Sequence, residues 1–267
     1  MPITVEVPES LEAVVGALGD GAVVLAGGTQ VMPAINTEAH GVATLVSLRR
    51  AGLDGIEVDA QLARIGAATT LSRLGADERL AFLHPVVESI ASPSIRNLAT
   101  VGGNLFVAQP YGDLAVALLA LDAGVELEGP DGAATVGVED LLAGGLSAGQ
   151  VATGVRFAVP AGGEFFYAKA MRRRLNSASI VTVAAVVSVA GGTVASARIA
   201  LGGAGPAPVR ARSAEAALTG EPFDREHVEA AAQAAGSDAE PFSDAYASAW
   251  YRARVLPVHI RRALIGE

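Results

Sequence analysis

Apolar and polar positions alternate over residues 3–7, as in a strand with one face buried, and the period then lengthens to that of a helix. Leu11, Val14, Val15 and Leu18 fall at i, i+3, i+4 and i+7 behind the opening Pro8-Glu9-Ser10, and Asp20-Gly21 stops the helix. The run Ala22-Val23-Val24-Leu25 leads straight into Ala26-Gly27-Gly28-Thr29-Gln30, with a second short helix expected soon after. This is a strand, a glycine turn and a helix in succession. Residues 44–48 and 63–67 read as further strands, and 71–80 and 85–91 as helical tracts.

A second glycine-bearing stretch covers residues 94–104, its glycines placed at a chain reversal, before a helix over 114–121. Residues 125–128 and 134–136 flank Gly129-Pro130-Asp131-Gly132, a hairpin signal, and 138–143 reads as one more helical turn. A strand over 151–159 ends near Ala161-Gly162-Gly163, which marks a boundary. Three strands follow, at 165–171, 180–189 and 194–201, the last two joined across Gly191-Gly192. Helices at 214–218, 225–235 and 244–264 close the chain.

Composition narrows the function classes. With 51% hydrophobic and 18% charged residues in 267, the chain fills a core of one large or two small domains. Its formal charge of −9, without a basic stripe, excludes general nucleic-acid binding. The absence of cysteine excludes a disulfide scaffold, a thiolate nucleophile and any cysteine-ligated cluster on this chain, so such a cluster belongs to a partner. The N-terminus lacks the pattern of a signal peptide and no apolar run reaches membrane-spanning length, so a cytoplasmic protein without a membrane span is expected. Of 19 basic residues only Lys169 is a lysine. A lysine surviving such a bias marks a place where a compact ammonium is needed, or survives by chance.

Neither a Walker A sequence nor a dinucleotide-binding glycine fingerprint is present, and His40, His84, His227 and His259 have no metal-ligand spacing, so no metal site is expected. Two glycine pairs remain, Gly27-Gly28 and Gly102-Gly103, each near a threonine (Thr29, Thr100) and a carboxamide (Gln30, Asn104). Glycine permits positive φ and close approach, so successive backbone N–H groups can form an anion nest without any cation, and two nests can hold one diphosphate. Gly-Gly also occurs at 144–145, 162–163, 191–192 and 202–203, so spacing alone leaves ordinary turns as the alternative.

As whole segments these stretches resemble the FAD-binding subunit of the molybdenum hydroxylases, the family of carbon monoxide, xanthine and aromatic-heterocycle dehydrogenases. Ala26-Gly27-Gly28-Thr29 resembles the family's first flavin loop; Ile95-Arg96-Asn97 with Thr100-Val101-Gly102-Gly103-Asn104-Leu105 resembles the second. Asp113 matches an acidic residue that contacts the flavin side chain, and Tyr167-x-Lys169 with Arg172-Arg173 resembles the start of the carboxy-terminal domain, where the lysine approaches the flavin. The resemblance implies an α+β protein. It further implies that an FAD-binding domain over residues 1–160, with subdomains of about 1–55 and 56–160, precedes a domain over 161–267 with a three-stranded antiparallel sheet and helices.

The cofactor-binding residues so implied are Leu25, Ala26, Gly27, Gly28, Thr29, Gln30, Val31, Ile95, Thr100, Gly102, Gly103, Asn104, Asp113 and Lys169. The amides of 27–30 and 102–104, with the hydroxyls of Thr29 and Thr100, are expected to hold the diphosphate and ribityl region; Asp113 contacts flavin hydroxyls or caps the helix that follows it. The partners implied are a large molybdenum-cofactor subunit and a small subunit with two 2Fe–2S clusters, in a dimer of heterotrimers that passes electrons through FAD to an external acceptor. Zero cysteines fits a separately encoded flavin subunit and argues against the branch whose flavin subunit carries its own cluster.

Two departures from the family pattern bear on the flavin environment. Gln109 stands where many relatives have a first acidic residue, and Asn176-Ser177-Ala178-Ser179 replaces both an aspartate and a glycine–tyrosine pair. Arg172, Arg173 and Arg174 read equally as a solvent-facing cluster or as ligand or subunit contacts, and Trp250 and Tyr251 as core or interface anchors. A self-sufficient FAD-dependent oxidase or reductase, or a non-catalytic assembly module, stay open as alternatives.

Overall fold

The computed structural model describes residues 3–38, 41–59, 61–173 and 177–266. Its first sheet is parallel. Strands β1 (Thr4–Glu6) and β2 (Ala22–Leu25) both pair with the central β3 (Thr44–Ser47), linked through helices α1 (Leu11–Ala17) and α2 (Val31–Glu38). Ser10 caps α1 by accepting from the Ala13 amide at 3.2 Å, and Val14 anchors the helix in a cluster with Val46, Leu48, Ala51, Leu53 and Val151.

A second sheet is antiparallel, in the order β4 (Ile56–Val58), β5 (Leu62–Gly66), β8 (Val151–Ala158), β6 (Gly124–Glu128), β7 (Ala134–Gly137). Between β5 and β6 run the short helices α3 (Leu71–Leu74), α4 (His84–Ser89), α5 (Pro93–Arg96) and α6 (Val101–Leu105), then α7 (Asp113–Ala120). Helix α8 (Val138–Gly144) follows β7. Every residue of α7 is buried, as its nearly all-apolar sequence requires.

The covering layer for α7 is the third sheet, an antiparallel array of β9 (Phe165–Met171), β10 (Ser179–Ala190), β11 (Thr193–Gly202) and β12 (Val209–Arg210), in the order β12-β11-β10-β9. Ala184, Val186 and Ala200 of this sheet join the α7 core, while Val181, Val183, Ala185 and Val187 point the other way. That opposite face packs on α9 (Arg212–Leu218), α10 (Arg225–Ala234) and α11 (Ala249–Ile265). The alternation follows the two-residue period of a strand and leaves Ser179–Val187 buried on both faces. Gly191 and Gly192, at φ +61° and +84°, make the tight turn from β10 to β11.

Four differences from the sequence reading have local causes. The three expected carboxy-terminal strands form, and β12 adds a two-residue fourth at the edge. The tract at 71–80 is not one helix: α3 ends at Gly75, where a Cβ would lie 2.9 Å from Val87 Cγ1, and Asp77 then caps a separate 310 turn over Glu78–Leu83. Strand β4, unpredicted, is a three-residue edge. The last helix starts at Ala249 rather than 244, because the Asp244 carboxylate accepts the Tyr246 and Ala247 amides in a turn and Ser248 takes the capping role. Trp250 is 69% exposed and Tyr251 43%, so neither is a core residue. No helix among the described residues is long and apolar enough to cross a membrane.

Candidate functional site

One cavity of about 1010 Å3 opens where the three sheets meet, lined by the start of α2, the segment from Ile90 through α6 to Asp113, Ala152 of β8 and residues of β9 and its following loop. Thirteen of the fourteen expected residues line it. Leu25 does not; it lies beneath the wall, its Cδ1 3.3 Å from where a Cβ on Gly28 would stand.

The first loop leaves the carboxyl end of β2, the end at which parallel sheets offer ligand space. Its two glycines are needed for different reasons. A Cβ on Gly27 would fall 1.8 Å from the Leu98 carbonyl oxygen, so this position lets the two loops touch; Gly28 is left-handed, at φ +70°. From Gly27 to Val31 the amides find no acceptor among the described residues, and α2 turns its N-terminus to them. This is an anion nest at a helix start.

The second loop is built otherwise, and the expectation of a second nest is corrected. Its glycines lie in the first turn of α6, not at a reversal. The Gly102 amide donates to Ala67 O at 2.9 Å, the Gly103 amide to Thr100 Oγ1 at 3.1 Å and the Asn104 amide to Thr100 O at 3.0 Å. All three donors are spent inside the protein, the Gly103 amide on the Thr100 hydroxyl oxygen that caps the helix. Glycine is required at 102 by packing, since a Cβ there would stand 2.7 Å from Ala67 Cβ. Ahead of this helix the Arg96 guanidinium ties down the carbonyls of Ile90 and Ala91, both at 2.8 Å, and presents Ile95 to the cavity. Asn104 accepts the Leu114 amide on Oδ1 at 3.1 Å, which leaves its NH2 without an acceptor among the described residues.

Asp113 does not cap α7; Gly112, at φ +77°, is the cap residue. Its carboxylate instead pairs with Lys169 of β9, Nζ to Oδ2 at 2.8 Å, both side chains about 95% buried at 5% and 4% exposure. Lys169 donates a second bond to Ser89 O at 2.9 Å, and Asp113 Oδ1 accepts from Ser179 Oγ at 2.7 Å and Thr182 Oγ1 at 2.6 Å. Behind the pair, the Tyr167 hydroxyl meets Ser89 Oγ at 2.7 Å, and burial, with the Asp113 charge, pushes its pKa well above the ordinary 10.

Gln109 does not line the cavity. Its Oε1 accepts the Gly203 amide at 2.7 Å while its Nε2 donates to Tyr111 O at 2.9 Å, a donor-plus-acceptor task that a carboxylate cannot perform. Sequence reasoning missed most of the far wall: Ala67, Ala152, Tyr111, Ala245 and Tyr246. Tyr111 and Tyr246 meet hydroxyl to hydroxyl at 2.6 Å, which pushes the Tyr111 pKa up to about 12. Arg172 and Arg173 also line the cavity, and Arg172 donates to Ala245 O at 3.1 Å; Arg174 and Asn176 lie outside the described residues.

Residues 1–158 match the family described as the FAD binding domain in molybdopterin dehydrogenase, and residues 166–266 the CO dehydrogenase flavoprotein C-terminal domain. The chain belongs to this flavoprotein family. It is 31% identical over 261 residues to the carbon monoxide dehydrogenase medium chain of Afipia carboxidovorans, covering 94% of this chain and 91% of that one. Against the nicotine 6-hydroxylase medium subunit of Paenarthrobacter nicotinovorans it is 30% identical, over 91% of this chain and 88% of the relative. Among solved structures, carbon monoxide dehydrogenase from Hydrogenophaga pseudoflava, lacking the Mo-pyranopterin moiety, superposes with a TM-score of 0.93 at 32% identity, covering 99% of this chain and 96% of that one. As a member of this family the chain is the flavin component of a molybdenum-containing oxidoreductase, with FAD as its own cofactor.

The cavity fits that cofactor. Its volume sits at the top of the roughly 300–1,000 Å3 range of ligand pockets. The unspent amides of the first loop suit a diphosphate, and a carboxylate, an ammonium and a carboxamide line the same cavity for hydroxyls and ring heteroatoms.

Proposed function

We propose that this chain is the flavin subunit through which electrons leave a molybdenum hydroxylase complex. The observation that carries the reading is the juxtaposition, in one cavity, of an anion nest on α2 with the Asp113–Lys169 pair held between α7 and β9. On this reading the amides of Gly27 to Val31 and the Thr29 hydroxyl hold the diphosphate; Asn104 and Asp113 take ribityl hydroxyls; Gly102, Gly103, Thr100 and Ile95 form the wall against the flavin; and Lys169 sets the charge beside it. Bound FAD supplies the exchange between one-electron carriers and a two-electron acceptor.

The chain divides into an FAD-binding domain of residues 1–160, with subdomains of about 1–55 and 56–160, and a domain of residues 161–267 that closes the cavity. Its partners are a large molybdenum-cofactor subunit and a small subunit with two 2Fe–2S clusters, in a cytoplasmic dimer of heterotrimers. Relatives of similar length are named for carbon monoxide, nicotine and glyceraldehyde, chemically unrelated substrates, which supports placing substrate choice on another subunit.

The test is co-purification. Affinity-tagged chain isolated from its source cells carries molybdenum and iron in fixed ratio to flavin if the proposal holds. Flavin without either metal means a self-sufficient flavoenzyme, and a complex holding both metals without flavin means an assembly module.

A further inference from the structure

Resting on the reading of the cavity as a flavin site, we infer that Ser179 and Thr182 of β10 are positioning residues for that site, holding the Asp113 carboxylate so that its free acceptor capacity faces the cofactor. Residues three apart on a regular strand point to opposite faces, yet the Ser179 and Thr182 hydroxyls both reach Asp113 Oδ1, at 2.7 and 2.6 Å. The cause is a bulge: Ser179 pairs with Met171 and Val181 with the adjacent Ala170, so β10 spends one extra residue, Ile180, against β9. Such a bulge re-aims one side chain relative to the rest of its strand.

The bulge is clamped on both sides. Arg252 of α11, its guanidinium fully buried, donates from Nη1 to the carbonyls of Ser179 and Ile180 and from Nη2 to Asp244 at 2.7 Å. The Ser179 amide donates to Pro110 O at 3.2 Å, three residues before Asp113. Gly203, at φ +69°, leaves room for this contact, since a Cβ there would lie 2.7 Å from Arg252 Nη1.

Proton counting gives the arrangement its meaning. Oδ1 of Asp113 and the two hydroxyl oxygens lie mutually within 2.6–2.7 Å, with two hydroxyl protons among them, and those protons commit Oδ1, directly or through one another. The Lys169 ammonium takes one lone-pair direction of Oδ2 and spends another proton on Ser89 O. One acceptor direction on Oδ2 and one N–H of Lys169 are left, on two residues that line the cavity. The bulged strand thereby fixes a single donor–acceptor pair toward the ligand.

The test separates hydroxyl from shape in the full-length chain. Thr182→Val keeps the volume and removes the proton; Thr182→Ser keeps the proton. For Thr182→Val the FAD dissociation constant is expected to rise about tenfold, in line with loss of a hydrogen bond to a charged acceptor, and the midpoint potential of bound flavin to move to more negative values as the carboxylate charge loses a partner. Thr182→Ser is expected to restore both. Ser179→Ala should reproduce the Thr182→Val result, and carries the test if that variant does not fold. Wild-type affinity and potential in both hydroxyl-deleted variants overturn the inference, as does a Thr182→Ser protein as impaired as Thr182→Val. Failure of the wild-type chain to bind FAD overturns the flavin reading itself, an outcome distinct from either of these.

Discussion

A methyl group at Gly27 would overlap the Leu98 carbonyl, whereas one at Gly103 would meet only the Thr100 hydroxyl at 3.0 Å. The two substitutions therefore fail differently. Gly27→Ala is expected to force the two loops apart, lowering both thermal stability and FAD affinity. Gly103→Val, facing the cavity, should abolish flavin binding while shifting the melting temperature little, and equal effects of the two variants would contradict the assignment. The buried Asp113–Lys169 pair gives a second residue-scale prediction. Lys169→Met leaves a carboxylate buried without its cation and should cost about 3–5 kcal/mol in urea denaturation. Adding Asp113→Leu should recover most of that loss, because Ser179 and Thr182, 2.6 Å apart, can then bond each other. The site was legible at this scale where chemistry is local. The first loop needs Gly28 for its own left-handed backbone, but Gly102-Gly103 looks like a turn because glycine is a poor helix former; the Thr100 hydroxyl three residues ahead of Gly103, a capping spacing, is the signal that it opens a helix.

Among the elements, α10 carries a pH-dependent cap. Asp224 accepts the His227 amide at 3.0 Å and meets its imidazole at 2.7 Å, with Glu221 3.4 Å from the other ring nitrogen. The hydrogen bond to Asp224, then the neighbouring charges, raise His227 above its ordinary 6.5, and the His227 amide and ring lower Asp224 below its ordinary 3.8. A raised imidazole stabilises fully below 6.5 and loses that contribution as pH rises through its folded value; a lowered carboxyl contributes above 3.8 and loses it as pH falls. The melting-temperature difference between wild type and His227→Gln is thus expected to be largest between the ordinary carboxyl value of 3.8 and the ordinary imidazole value of 6.5, and to shrink as pH rises beyond that window. A difference that grows with pH would contradict this. The period of α1 and the β-branched runs and glycine turn of the β10–β11 hairpin are legible in the sequence pattern. The tract at 71–80 broke because Gly75 and Asp77 act as end signals inside an apolar run, and β4 is too short to carry a period.

In the whole molecule, the cavity exists because the first loop, α6, the start of α7, β8 and β9 meet around it, and this is where sequence pattern carries least. Ala67, Ala152 and Tyr246 reach one wall from distant parts of the chain, and no spacing announces that meeting. The bulge that turns Ser179 toward Asp113 is likewise a property of pairing between strands. What segment resemblance did supply was the set of loops that meet. If they meet to hold FAD, ligand binding to the native state alone should stabilise it by about 2.7 kcal/mol at a hundredfold excess over the dissociation constant, raising the melting temperature of a chain this size by roughly 5–10 °C. The most direct measurement is the visible absorption spectrum of the purified chain before and after reconstitution with FAD, with the released flavin identified and counted. The structure predicts one FAD per chain. A protein that stays colourless after reconstitution, alone and with its partner subunits, would contradict it.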